Sequence, residues 1–248
     1  MEEFNNSPEP LISFRDADIM NTESAVIYGL NLNVYRGDMV YIVGKVGTGK
    51  TSIIRTLIAE NKLGKGSCRI CGYEVNGIKD RDIPYLRRKV GVVFQDFQLL
   101  MDRSVEENLE FVLKATGWKD KHEIDQRIHE VLNEVGLDDK ADKMPHELSG
   151  GEQQRIAIAR AILNKPKIII ADEPTGNLDP ETAENIIRML KEITQTGTAV
   201  VMSTHNIPLL DKYPGIVYRC ADGALEEITD DYNKISMNFD DSTDNTDN

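Results

Sequence analysis

A glycine-rich segment between an apolar run and a helical pattern constrains the fold of this 248-residue chain more than any other feature. Residues 44–51 have the sequence Gly-Lys-Val-Gly-Thr-Gly-Lys-Thr, with a strand-like run at residues 39–43 before them and a helical pattern at residues 51–59 after them. Glycines without a Cβ let the backbone wrap closely around a phosphate, and a helix N-terminus behind the loop favours negative charge. The strand–loop–helix order predicts an α/β fold built around a phosphate-binding loop.

The loop predicts a set of nucleotide-binding residues. Lys50 places a positive charge where the β- and γ-phosphates of ATP would lie, and the Thr51 hydroxyl is a ligand for Mg²⁺. The alternative, a glycine turn with a solvated lysine, is disfavoured by the motifs further along the chain. The residues predicted to bind nucleotide in this segment are Gly44, Lys45, Val46, Gly47, Thr48, Gly49, Lys50, Thr51 and Ser52.

Two further strand-like runs end in polar side chains. Residues 168–171 are apolar and lead to Asp172 and Glu173, while residues 198–204 lead to His205 at the same predicted sheet edge. Asp172 is expected to hold Mg²⁺ through water, Glu173 to act as the general base that orients the attacking water, and His205 to contact the γ-phosphate. The alternatives are a solvated loop carboxylate and a structural histidine, and both are weaker beside a phosphate loop.

Residues 148–155, Leu-Ser-Gly-Gly-Glu-Gln-Gln-Arg, predict a second anion site. Ser149 and Glu152 have the spacing of a capping box that starts a helix, and Gly150 and Gly151 leave its first backbone N–H groups open to an anion. Since the phosphate loop already supplies one such site, the second is expected to serve the nucleotide of another copy. This predicts a two-fold, head-to-tail homodimer on ATP binding; the alternative is an ordinary capped surface helix.

Periodicity along the chain sets its predicted organisation. Helical spacing between residues 103 and 143, with strands alternating with helices elsewhere, predicts a mostly parallel sheet and a helical insertion at about residues 100–160. Residues 1–10 are expected to form a flexible leader, residues 11–227 a single domain, and residues 228–248 an acidic, disordered tail.

Charge and hydropathy exclude several classes of protein. A net charge of −13 argues against a nucleic-acid partner, because sequence-independent binding depends on Lys and Arg. No apolar run approaches the ~20 residues of a membrane-spanning helix, and the first residues lack the pattern of a signal peptide. The sequence therefore predicts a cytoplasmic protein.

These motifs, in this order, resemble those of the ATP-binding cassette (ABC) ATPases across residues 11–227. The resemblance implies a P-loop NTPase fold of the ABC type, with a mostly parallel central sheet, a small antiparallel β part and a helical insertion. It implies hydrolysis of ATP to ADP and phosphate, with ATP and Mg²⁺ bound. It also implies roles for two further residues: Gln95 of the Q-loop as a catalytic group and Mg²⁺ ligand, and Asp179 of the D-loop as a nucleotide-binding residue. A helix of an integral membrane partner would dock in the Q-loop groove and hold the protein at the inner face of the cell membrane.

Two positions depart from the family pattern. Val46 stands where Ser, Asn or Thr is usual, although the backbone N–H groups of the loop carry the binding. No aromatic residue follows the first strand to stack on adenine, so Ile19 or Met20 is expected to pack on the base instead.

Within the family, residues 94–100 and 175–181 resemble the FtsE group of bacterial cell-division ATPases, whose membrane partner is FtsX and whose cycle controls peptidoglycan hydrolysis. The alternative is the ATPase of a lipoprotein-release or macrolide-export transporter, such as LolD or MacB. Two other classes are a structural adaptor with incidental turnover and a soluble cassette of translation or DNA repair. A single cassette without a long heptad run disfavours the last class.

Overall fold

The computed structural model describes residues 8–21 and 24–232. Residues 1–7 of the expected leader and residues 233–248 of the expected tail lie outside the described residues. In the described part of the chain the strands are β1 (Ile12–Met20), β2 (Ala25–Val34), β3 (Met39–Val43), β4 (Leu63–Ile70), β5 (Tyr73–Glu74), β6 (Val90–Val93), β7 (Ile168–Asp172), β8 (Ala199–Thr204), β9 (Ile216–Ala221) and β10 (Ala224–Glu227). The α-helices of the same part are α1 (Lys50–Leu57), α2 (Ile83–Arg88), α3 (Val105–Ala115), α4 (Lys121–Glu134), α5 (Gly150–Ile162), α6 (Pro180–Gln195) and α7 (Pro208–Lys212).

The strands form two sheets. The larger sheet has the order β10-β9-β3-β8-β7-β6, in which the five strands from β9 to β6 are parallel and β10 is antiparallel. The smaller sheet has the order β2-β1-β4-β5 and is antiparallel throughout. Helices α3, α4 and α5 are inserted in the sequence between the neighbouring strands β6 and β7. This architecture confirms the predicted α/β fold with a mostly parallel central sheet and a small antiparallel part.

Helices on both faces of the larger sheet explain why its strands are apolar without alternation. Every residue of β3 and β8 is buried, as are the first four residues of β7. On one face lies a cluster that includes Ile53 and Leu57 of α1, and on the other a cluster that includes Ile156 of α5 and Leu190 of α6. The sheet is therefore the middle layer of three.

The register of the parallel strands aligns their carboxyl ends. Val43 of β3 lies opposite Thr204 of β8, Asp172 of β7 lies opposite Ser203, and Val93 of β6 lies opposite Ala171. The segments that follow these four adjacent strands therefore emerge at one edge of the sheet, which places the predicted site residues together.

The first strand is longer than the apolar pattern predicts. The sequence indicates a strand ending near Phe14, whereas β1 continues to Met20 through an irregularity at Asp16, whose φ is 44°. The bulge offsets the strict alternation of buried and exposed residues, so that Ala17 and Ile19 return to the core after two exposed residues. A search for strict alternation misses a strand interrupted in this way.

Two side chains connect the helices α3 and α4 of the insertion to the end of α5. Arg127 of α4 is only 6% exposed and donates from Nε to the carbonyl of Leu163 at 3.0 Å and from Nη2 to that of Ile162 at 2.9 Å. Trp118 Nε1 donates to Asn164 Oδ1 at 3.0 Å. The sequence left the role of Trp118 open; its indole anchors the end of α3 to the end of α5.

The folded part of the chain extends beyond residue 227. Ile228 donates its backbone N–H to Val217 O at 2.8 Å, and the Tyr232 hydroxyl lies 2.7 Å from Asp211 Oδ1. Both side chains pack against the core. The predicted start of the tail at residue 228 is therefore too early, because the acidic composition of this stretch conceals two apolar anchors. Within the described ranges, no helix has both the length and the apolar character that crossing a membrane requires.

Candidate active site

The phosphate loop connects β3 to α1 in a conformation that depends on its glycines. Gly47 and Gly49 have φ values of 84° and 108°, in the left-handed region that disfavours other residues. Gly44 approaches the backbone carbonyl of Cys220 so closely that a Cβ would collide with it. These glycines thus permit the tight course that the loop follows between β3 and α1.

Lys50 is held inside this loop. Its side chain is 5% exposed, and Nζ donates to the carbonyl oxygens of Gly44 at 2.8 Å and Lys45 at 3.1 Å. Thr51 and Val46, by contrast, face solvent, and Val46 is 91% exposed. The Thr51 hydroxyl has no hydrogen-bond partner among the described residues, so it is available to a ligand.

Glu173 joins the phosphate loop to His205. Its Oε1 lies 3.6 Å from Lys50 Nζ, and its Oε2 lies 3.0 Å from His205 Nδ1. The carboxylate is 19% exposed and the imidazole is 59% exposed. Three residues that the sequence places in separate motifs are thus in contact at the carboxyl edge of the sheet, with the carboxylate in the centre.

Ser203, a residue outside the predicted site, organises both carboxylates. It is fully buried in β8; its Oγ donates to Asp172 Oδ1 at 2.6 Å and accepts the backbone N–H of Glu173 at 3.0 Å. Glu173 has a φ of 46°, a strained value for a residue with a side chain, and the Ser203 hydrogen bond helps to hold it. The sequence shows a hydroxyl two positions before His205, but only the strand register reveals that this hydroxyl lies beside Asp172 and Glu173.

Gln95 lies at the end of β6 and is bound to the segment that precedes α6. Gln95 Nε2 donates to Asn177 Oδ1 at 3.2 Å, and Asn177 Nδ2 donates to the Gln95 carbonyl at 3.3 Å. Asn177 is a second residue whose contact the sequence does not predict. Among the described residues, the side-chain amide oxygen of Gln95 has no hydrogen-bond partner.

The helix that begins after Ser149 has the predicted capping box. Ser149 Oγ accepts the backbone N–H of Glu152 at 3.3 Å, and Glu152 Oε2 accepts the backbone N–H of Ser149 at 2.8 Å. The hydrogen bonds from the Ser149 backbone and side chain lower the pKa of Glu152. The N-terminus of α5 is therefore capped as the sequence indicates, and the lowered pKa favours the charged form of Glu152.

The surroundings of this helix start are not the phosphate loop. A Cβ added to Gly150 would meet Leu178 and Phe97 at ordinary distances, whereas one added to Gly151 would lie 2.5 Å from Thr182 Cγ2. In the described part of the chain no hydrogen bond or ion pair joins Ser149–Glu152 to residues 44–52. Within the described residues, the two glycine-rich helix starts of one chain thus do not meet.

Asp179 forms the N-cap of α6. Its Oδ1 accepts the backbone N–H of Thr182 at 3.0 Å, and Pro180 occupies the first turn, as predicted. Hydrogen bonds from the Thr182 side chain and backbone lower the pKa of the Asp179 carboxyl. The carboxylate is on the surface, two residues after the Asn177 that binds Gln95.

The expectation that Ile19 packs on adenine is wrong. Ile19 is fully buried in the core of the smaller sheet, because the bulge in β1 turns it inward. Met20 is half-buried, and its sulfur occupies the space beside Gly64. On the neighbouring strand Tyr28 is 61% exposed and lies against Gly223, so the aromatic surface of this region is on β2.

Comparisons with known proteins agree with this geometry. Residues 27–176 match the family model described as "ABC transporter". The cell division ATP-binding protein FtsE of Streptococcus pneumoniae is 47% identical over 188 residues, which cover 76% of this chain and 81% of that relative.

Two solved structures have the same fold. CbiO1 from Clostridium perfringens, described as part of the ABC transporter complex cbiONQ, is 28% identical with a TM-score of 0.79, covering 88% of this chain and 87% of its own. The ATP-binding cassette MJ0796, in a dimeric post-hydrolysis state with ADP and phosphate, is 33% identical with a TM-score of 0.76, covering 87% of this chain and 96% of its own. The chain therefore belongs to the ABC transporter family, as one of its ATP-binding and ATP-hydrolysing cassettes.

Proposed function

We propose that this chain is the ATP-hydrolysing subunit of a membrane-associated ABC complex that acts in bacterial cell division with an FtsX-like permease. The observation that carries the enzymatic part is the contact of Glu173 with both Lys50 and His205 at the end of the phosphate loop. The cell-division part is supported by the 47% identity to FtsE over most of both chains.

In the structure, Lys50 interacts with two carbonyl oxygens of the loop and with Glu173. The β- and γ-phosphates of ATP would lie where the loop N–H groups and Lys50 converge, and would replace the carboxylate as the main partner of the ammonium group. Glu173 would then be free to accept a hydrogen bond from a water molecule. His205, 3.0 Å from its other oxygen, would fix the orientation of the carboxylate and contact the γ-phosphate.

The residues present fit a Mg²⁺ ion. In the part of the chain that the structure describes, the Thr51 hydroxyl and the Gln95 amide oxygen have no hydrogen-bond partner, and Asp172 has a carboxylate whose Oδ1 is oriented by Ser203. Such oxygen donors, some acting through water, are the ligands that Mg²⁺ prefers. When bound, the ion would neutralise phosphate charge; Thr51, Gln95 and Asp172 would hold it.

Two copies of the chain are proposed to share each nucleotide. The N-terminus of α5 offers open N–H groups at Gly150 and Gly151, yet among the described residues it has no hydrogen bond or ion pair with the phosphate loop of its own chain. Placing it over the phosphate loop of a second copy completes both sites at once. The exposed Val46 at the loop would be covered in the same step. The dimeric state of MJ0796 supports this arrangement.

A membrane partner would dock beside the Q-loop, at the groove between α2, β6 and α3. The cleft there has both apolar and polar walls and lies next to the Q-loop. A segment bound in it would therefore affect the position of Gln95 and, through Gln95, the nucleotide site. We propose that the partner holds the chain at the cytoplasmic face of the membrane, and that the ATP cycle controls peptidoglycan hydrolysis.

The test is capture of the partner by a chain that closes but does not hydrolyse. Glu173→Gln should lower the hydrolysis rate by a factor on the order of 10²–10⁴ while retaining ATP-dependent dimerisation, and should co-purify from native membranes with its partner. Lys50→Ala, which loses the phosphate contacts, is the matched control. It should neither dimerise with ATP nor co-purify with the partner. A permease with four membrane helices, recovered with cell-wall hydrolase regulators, supports the proposal. A permease that brings lipoproteins, or a Glu173→Gln chain that hydrolyses normally, contradicts it.

A further inference from the structure

A small groove beside the Q-loop has an unusual charge for this chain. It has a volume of about 230 Å³ and lies between α2, the edge strand β6, α3 and α5. Its apolar floor includes Val92, Phe94 and Val112, and its walls carry Arg87, Arg88 and Arg160. We call it the arginine groove. Its lining residues include three arginines and no carboxylate, in a protein whose net charge is −13.

None of the three arginines forms a salt bridge with a described carboxylate. Arg160 donates to the carbonyl oxygens of Phe97 and Gln98, which have strained φ values of 59° and 50°. Burial lowers the pKa of the Arg160 guanidinium, and the nearby Asp96 carboxylate acts in the opposite direction. Arg87 Nε donates to a backbone carbonyl at 3.3 Å. Within the described residues, the hydrogen bonds donated by Arg87 and Arg160 thus go to neutral carbonyl groups.

Of the three arginines, Arg88 has the fewest hydrogen-bond partners among the described residues. Its Nε is buried and has no hydrogen-bond partner among the described residues. Its guanidinium lies over the ring of Tyr85 with 5.2 Å from Cζ to the ring centre, and Tyr85 itself is 55% exposed. Arg88 as a whole is half-buried and lines the groove, so the rest of its guanidinium can meet an incoming acceptor.

The two helices α2 and α3 that line the groove also carry exposed aromatic rings. Tyr85 of α2 lies under Arg88, and Phe111 of α3, the neighbour of the lining residue Val112, is 46% exposed with Arg103 over its ring at 4.7 Å. Exposed aromatic rings beside arginines are typical of the anchor positions at protein interfaces. A bound segment could therefore bury its own apolar residues on these rings while placing a polar group in the groove.

We infer that the segment of the membrane partner that docks here carries an aspartate or glutamate, which pairs with Arg88, between apolar residues that cover Tyr85 and Phe111. This inference rests on the proposed function, because it assumes a membrane partner. The carboxylate supplies an acceptor to the half-buried Arg88 guanidinium that lines the groove, and a guanidinium–carboxylate pair that is shielded from water is stronger than an exposed one.

A negative charge in the docking segment is unusual for a cytoplasmic segment of a membrane protein. Cytoplasmic loops of membrane proteins are enriched in Lys and Arg. The guanidinium of Arg88, which forms no salt bridge with a described carboxylate, would repel such a loop and attract one with an acidic residue, so the groove selects its partner by exclusion as well as by attraction.

The experiment uses the partner captured by the Glu173→Gln chain, purified and placed in lipid nanodiscs, and measures binding of variants of the full-length chain. Arg88→Glu should weaken binding about thirtyfold or more, since truncating or reversing a shielded charge pair costs at least about 2 kcal/mol. Arg81→Glu is the matched control, because this substitution changes the net charge by the same amount just before α2. Arg81 is 76% exposed and does not line the groove. Thermal unfolding of each variant shows whether the fold is retained.

A charge swap identifies the acidic residue. Each Asp or Glu in the cytoplasmic segments of the partner is changed to Arg, and one of these variants should restore the binding of the Arg88→Glu chain. Wild-type binding by a folded Arg88→Glu chain would overturn this inference alone, as would equal losses in Arg88→Glu and Arg81→Glu. Failure of the Glu173→Gln chain to capture any membrane protein would remove the proposed partner and the inference together.

Discussion

Replacement of Ser203 by alanine removes the hydroxyl that connects the two carboxylates of the site. That hydroxyl donates to Asp172 Oδ1 at 2.6 Å and accepts the Glu173 N–H at 3.0 Å, from a fully buried position in β8. The first is a hydrogen bond to a charged group, and the second satisfies a backbone donor that has no other described partner. A hydrogen bond to a charged group contributes about 1.5–3 kcal/mol, so we expect Ser203→Ala to lower the free energy of unfolding by about 2–3 kcal/mol. For a chain of this length the midpoint of thermal unfolding should fall by roughly 4–12 °C.

The catalytic effect should exceed the effect on ATP binding. Glu173 is held at a φ of 46°, a conformation that costs about 1–3 kcal/mol and needs support from its surroundings. Without the Ser203 hydrogen bond the carboxylate can move, and a displacement of about 1 Å can cost on the order of 100-fold in rate. We therefore expect kcat to fall about 10- to 100-fold. KM for ATP should change much less, because the phosphate-loop contacts of Lys50 do not involve Ser203.

The neighbouring residue Thr204 provides the control. It is 3% exposed on the same strand, and its hydroxyl accepts the backbone N–H of Asn206 at 3.0 Å without contacting either carboxylate. Thr204→Val should therefore lower stability to a similar extent while leaving kcat nearly unchanged. Steady-state phosphate release and thermal unfolding of both variants measure the two quantities. Equal kcat values for Ser203→Ala and Thr204→Val would refute the positioning role of Ser203.

Four further substitutions test the start of α5, the N-cap of α6 and the proposed base. Gly150→Ala should keep or raise the thermal midpoint, because its Cβ meets only ordinary contacts and alanine favours a helix, but it should weaken ATP-dependent dimerisation, measured by light scattering. Gly151→Ala should instead lose about 1–3 kcal/mol of stability, because its Cβ would lie 2.5 Å from Thr182 Cγ2; equal midpoints for the two variants would contradict this. The pKa of Asp179 is lowered by hydrogen bonds from Thr182, so its stabilising effect is complete above about pH 4 and is lost as pH falls through the lower folded-state pKa. Asp179→Asn should therefore flatten the acid limb of the stability curve, and a parallel curve would argue against the effect. Glu173→Gln should trap an ATP-bound dimer, seen as a doubled mass in gel filtration, and a monomer in saturating ATP would contradict the shared site.

Most of the candidate site could be predicted from short segments. The phosphate loop, the capping box at Ser149 and the N-cap at Asp179 depend on neighbours within a few residues, so their local sequences determine their local structures. The apolar runs of β3 and β7 identified buried parallel strands for the same reason. Interactions between segments were less accessible, because nothing in a local pattern states which strands are neighbours.

The sequence by itself determined the chemistry: a phosphate loop, a carboxylate pair after a buried strand, and a second anion-binding helix start. Tertiary structure decided what these groups touch. The pairing of β7 with β8 brings Ser203 to Asp172 from 31 residues away, and the bulge in β1 buries Ile19 instead of offering it to a base. The arginine groove likewise exists only because α2, α3 and α5 meet at the edge of β6. Contacts of this kind depend on strand register and packing over long sequence separations, and these are properties of the whole fold.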